Sequence, residues 1–188
     1  MRPFAVAALC AALAAGACSA EEPASAPRPL PVKDPGFENI AVKGNLYGAW
    51  TFAGNYGGGP QKNPALTGEA AAGASALRIR TGYIRQDLPL AEGDRGRTIT
   101  ISFMAKGCGE IQCFLSYPGV PMQWKDIQDF FPLTDEFMPY SFTMKVPEKA
   151  AAVSANIGFT GLSFAVVDEV SLVVGAPAAA AAAAPEPV

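Results

Sequence analysis

Histidine is absent from all 188 residues. That one absence excludes the Ser/His/Asp triad, the usual Cys/His nucleophile pair and most zinc sites. Basic residues are few and scattered singly in a chain of formal charge −3, so there is no electrostatic footprint for nucleic acid. An amphipathic helix of ordinary length is also missing between residues 34 and 175, because ALTGEAAAGASA is too rich in glycine and KDIQDF is too short. The glycines of NYGGGP are not followed by the Lys and Ser/Thr of a phosphate-binding loop, which makes the segment a surface loop. Carboxylates remain, but a glycosidase needs two of them facing a cleft. Asp94, Asp135 and Glu136 sit instead in turn-like segments and read as solvated. On these grounds the chain is not expected to be an enzyme.

What is present begins with two unusual ends. The opening MRPFAVAALCAALAAGACSA has one basic residue, an apolar run and small residues before Cys18, the layout of an export signal over residues 1–17. Its apolar run is shorter than the ~20 residues that cross a bilayer as a helix. LAAGAC resembles a bacterial lipobox, which implies cleavage before Cys18 and acylation of that cysteine. With no acid at Ser19 or Ala20, the expected destination is the outer membrane. Residues 18–33, rich in Pro and Ala, read as a flexible tether, and residues 176–188 as an Ala/Pro-rich disordered tail.

Between them, apolar residues alternate with period two. Ile99, Ile101 and Phe103 share one strand face, as do Tyr140, Phe142 and Met144, and Val153, Ala155, Ile157 and Phe159. Many short strands separated by Gly and Pro turns predict one antiparallel all-β sandwich over residues 34–175. In FAVVDEVSLVVG the same parity puts Asp168 beside Val166, Val170, Leu172 and Val174 on the apolar side. A buried carboxylate there needs a cation, several N–H donors or a proton. Cys108 and Cys113 in GCGEIQC cannot fill a tetrahedral metal site without histidine, and an oxidising compartment predicts a hairpin disulfide between them.

Taken together, DPGFENI with Trp50 twelve residues after Glu38, then GASALRIRTGYIRQDLPLAEGDRGRTITISFMAKG, then VVDEVSLVVG, resemble the galactose-binding-like jelly rolls. In particular they resemble carbohydrate-binding modules of the family four and nine group. It implies a jelly-roll β-sandwich in which Glu38 and Asp168 meet at a structural calcium ion. Calcium takes six to eight oxygen ligands, so backbone carbonyls and water would complete such a site. The alternatives are an ion pair of Asp168 with Arg78 or Arg80, or backbone N–H donors.

The resemblance also places Gln86 on the concave sheet, with Tyr83 and Arg85 beside it. Sugar rings stack their C–H faces on flat aromatic side chains while amides and guanidinium groups bond their hydroxyls. Tyr83, Arg85, Gln86, Trp124, Trp50 and Tyr56 are therefore the candidate contacts for an oligo- or polysaccharide, with Trp50 the one most open to a core role. Two readings follow: an anchored module that binds carbohydrate weakly, or a scaffold of the same fold that meets an envelope protein partner. Convergence of Tyr83, Gln86 and Trp124 on one exposed groove separates them.

Overall fold

The computed structural model describes residues 26–39, 42–43, 46–53, 65–159 and 164–175. The signal segment, Cys18, the tether as far as residue 25, Tyr56, the NYGGGP loop and the tail 176–188 lie outside the described residues. In chain order the strands are β1 (Arg28–Pro29), β2 (Val42–Lys43), β3 (Leu46–Tyr47), β4 (Trp50–Ala53), β5 (Ala65–Thr67), β6 (Ala76–Ile79) and β7 (Gly82–Pro89). They continue as β8 (Thr98–Gly107), β9 (Glu110–Ser116), β10 (Gln128–Pro132), β11 (Met138–Lys145), β12 (Ala152–Phe159) and β13 (Ala165–Val174). The helical content of the described residues is two single 3₁₀ turns, Glu92–Asp94 and Trp124–Asp126.

Two antiparallel sheets form an all-β jelly-roll sandwich. One runs β11-β8-β13-β6-β5, with β1 also on β13; the other runs β10-β9-β12-β7-β4-β3-β2. The alternation read from the sequence supplies the inner faces. Ile99, Ile101 and Phe103 of β8 stand opposite Met144, Phe142 and Tyr140 of β11, and meet Val153, Ala155, Ile157 and Phe159 of β12 in one core.

The strand β13 departs from simple alternation. Asp168 pairs with Met104 and Ser171 with Ser102, so three steps along β13 match two along β8, a β-bulge with Glu169 at φ +51°. One extra residue reverses the parity that follows it. Val170, Leu172 and Val174 therefore face the core, while Asp168 shares the outer side with Met104 and Lys106. The acid is buried, but not on the apolar face that the sequence predicts.

Two further expectations are corrected. Cys108 and Cys113 are free thiols, Cys108 exposed and Cys113 buried. The strands β8 and β9 belong to different sheets, so the segment between them is an arch rather than a hairpin. At ~3.3 Å rise per residue, Cys113 lies too far along β9 for a bridge that requires Cα atoms within ~7 Å. Burial pushes its thiol pKa up, which makes it inert. The domain also begins earlier than residue 34. Arg28 pairs with Val174, Leu30 is buried and its N–H donates to Leu172 O at 2.9 Å. Arg28 also grips the Asp94 carboxylate, which is buried rather than solvated and accepts the Ala91 N–H at 2.7 Å. Residues 28–33 are thus part of the sandwich, because alternating Leu30 and Val32 give an otherwise Pro-rich segment something to bury.

Candidate functional site

Strand β7 carries alternation into function. Gly82, Ile84, Gln86 and Leu88 turn inward, and Tyr83, Arg85 and Asp87 turn outward. Gln86 is 5% exposed and binds backbone on both sides of its amide. Its Oε1 accepts the Lys33 N–H at 2.8 Å and its Nε2 donates to Lys33 O at 3.0 Å. It is therefore a clasp between the opening segment and β7, not a groove residue, which corrects the role assigned from the resemblance. Gln86→Leu keeps most of the volume but strands these backbone groups, and should lower unfolding free energy by ~1–3 kcal/mol in a urea titration. An unchanged midpoint would mean that the clasp contributes nothing. Trp50 is likewise not a contact: it is fully buried, tilted against Phe37 at 5.5 Å, with Nε1 donating to Asp34 O at 3.1 Å.

Of the three residues whose convergence was expected, Gln86 turns to the opposite side of β7, while Tyr83 and Trp124 share the outer face with Arg85, through residues that the sequence did not single out. On the outer face of the seven-stranded sheet, Tyr83, Gly158 and Gln112 lie in one cross-strand row. Arg85, Asn156 and Phe114 form the next row, and Asp87, Ser154 and Ser116 the third. Tyr83 meets Phe114 edge-on at 5.3 Å, and Phe114 meets Trp124 at 5.0 Å, giving a continuous aromatic run across β7, β12 and β9. Gly158 eases the first contact, since a Cβ there would press on the Tyr83 Cβ at 3.1 Å. The 3₁₀ turn Trp124–Asp126 holds Trp124 over the sheet with 52% of its surface exposed.

Polar groups flank this run. Asn156 is buried, its amide donating to Ser154 O at 2.9 Å and Phe114 O at 3.3 Å, and Gln112 bonds Gln128. Arg85 grips Asp87 with two bonds, Nε to Oδ1 at 2.7 Å and a terminal nitrogen to Oδ2 at 3.0 Å. Burial pushes the Asp87 carboxyl up, but the bonded guanidinium outweighs it and holds the group below the usual carboxylate range. The buried Ser154 hydroxyl adds to this from across the ladder, without forming a well-shaped hydrogen bond. The bond to Asp87 in turn raises the pKa of Arg85.

Of the expectations for Glu38 and Asp168, a shared calcium ion, an arginine partner or backbone donors, the structure shows the last. Asp168 Oδ2 accepts the N–H groups of Ala71 and Ala72 at 2.8 and 3.1 Å, and Oδ1 accepts that of Glu169 at 2.8 Å. Glu38 Oε1 accepts those of Ala74 and Ser75 at 2.8 and 3.0 Å, an approach that only a glycine at position 73 allows, since a Cβ there would lie 2.1 Å away. The two carboxylates hold the 71–75 loop by its N–H groups. Arg78 is engaged elsewhere, with Glu69 at 3.4 Å. A calcium cage needs convergent oxygens, whereas this loop turns donors towards both acids. Among the described residues there is no group of three or more His, Cys, Asp or Glu that could hold a metal. The donor set does not fit calcium.

No protein-family model matches the chain, and no curated protein does. Solved structures share its fold. A family 4 carbohydrate-binding module superposes with TM-score 0.53 at 19% identity, over 76% of this chain and 98% of that one. A family 61 module in complex with β-1,4-galactotriose gives 0.53 at 14% identity, over 76% and 97%. A cyclase from Fischerella sp. in its apo form gives 0.58 at 14% identity, over 79% and 96%. The fold is thus the jelly roll of carbohydrate-binding modules, used by enzymes as well.

Proposed function

We propose that this domain is a non-catalytic module that binds carbohydrate weakly on the outer face of the β9-β12-β7 sheet. The observation that carries the reading is the half-exposed Trp124 indole, propped over the sheet by buried Phe114, with Tyr83, the Gln112 amide and the Arg85 guanidinium on the same face. Flat rings accept the C–H faces of a sugar, and the flanking polar groups bond its hydroxyls. The acids on the β7, β12 and β9 rows of this face support binding over hydrolysis. Asp87 lies in the row of Ser116, and Glu110 is six residues further along β9, ~20 Å away. Glycosidase carboxylates act within ~10 Å of each other.

Stacking on one or two rings, offset by desolvation, corresponds to dissociation constants of roughly micromolar to millimolar. Isothermal calorimetry with neutral tetrasaccharides tests the reading. No heat from folded protein at millimolar ligand would transfer the face to an envelope protein partner. The lipid anchor at Cys18 and an outer-membrane location belong to the same proposal, supported by the export signal and the lipobox-like LAAGAC. Intact mass of the membrane-fraction protein should show an acylated amino-terminal Cys18, and an unmodified terminus would remove the anchor.

A further inference from the structure

We propose that Asp87 restricts this face to neutral sugars by keeping Arg85 occupied, so that the ion pair excludes uronic acids from the site. The inference rests on the carbohydrate reading and goes on to name the sugar class. An exposed guanidinium beside an aromatic platform is by itself a receptor for carboxylate, because its fork matches two carboxylate oxygens at once. In this chain that fork is already filled.

Arg85 and Asp87 stand two residues apart on the same face of β7 and form both hydrogen bonds of a bidentate pair, at 2.7 and 3.0 Å. Both are accessible to a ligand, with side chains 38% and 53% exposed. A uronate reaching Arg85 meets the Asp87 carboxylate first and is repelled. A neutral sugar finds the free donors of Arg85 and the unused lone pairs of Asp87 side by side, matching a hydroxyl that both donates and accepts. The neighbouring rows add no compensating charge: Thr51, Asn156, Phe114, Ser154 and Ser116 are all uncharged.

Asp87→Asn tests this. The variant is nearly isosteric, and loss of an exposed pair should move the melting temperature little. Titrations use cellotetraose and β-1,4-galactotetraose, each also as its C6-oxidised uronate. Wild-type protein should bind at least one neutral form and its uronate at least tenfold more weakly. Asp87→Asn should gain about tenfold for the uronate, the scale of one charge-assisted hydrogen-bond set, and the gain should vanish in the Arg85→Gln/Asp87→Asn double variant. The inference is overturned if wild-type protein binds uronate as well as the neutral form, or if Asp87→Asn leaves the preference unchanged. Absence of binding to all four probes overturns the carbohydrate reading itself, a different result from binding without discrimination.

Discussion

Asparagine in place of Asp168 should lower the melting temperature by roughly 10 °C, almost as much as alanine does. The carboxylate is fully buried and accepts three backbone N–H groups, two from the 71–72 loop and one from Glu169 within the bulge. An amide has one oxygen, so in either rotamer its NH₂ faces at least one of these donors, leaving that N–H unpaired. Stranding buried groups in this way costs about 2–3 kcal/mol, which converts to roughly that shift for a domain of this size. The partners are protein donors rather than an ion, so neither chelator nor added calcium should move the wild-type curve. A chelator-sensitive wild type beside a mildly affected asparagine variant would defeat this account and restore the metal.

Alanine at Trp124 should weaken binding of a neutral oligosaccharide at least tenfold while leaving the fold intact. The indole presents half its surface to solvent and contacts the sheet mainly through Phe114, itself held in the β9 ladder. Its removal deletes one stacking surface but opens no cavity in the core, so the energetic loss falls on the ligand. Calorimetry and a melting curve on the same sample separate the two effects. Equal affinity in the variant would show that the sugar does not lie against this ring.

The inner faces were legible because alternation is local: β8, β11 and β12 obey it residue by residue. On β7 the same rule already separates Ile84, Gln86 and Leu88 from Tyr83, Arg85 and Asp87, and it was the family likeness that drew Gln86 to the wrong face. Asp168 escaped because an inserted residue is invisible until the partner strand is known, and every position beyond it changes side. Phe114 and Asn156 were missed for another reason. Each is a side chain out of phase with its apolar strand, a usable sign of an outer-face residue. Which residues they meet depends on β9, β12 and β7 lying side by side, and strand order is not a local property.

Gln86 gives β7 two duties on opposite sides. Its amide holds Lys33 from within, while Tyr83, Arg85 and Asp87 project from the other face of the same strand. A pull on the amino-terminal segment is thereby delivered through β1 to β13 and through the Gln86 clasp to the strand that carries the outer-face contacts. Under the proposed anchor and ligand, tension between them would run through the backbone ladders of β13 and β7, two central strands.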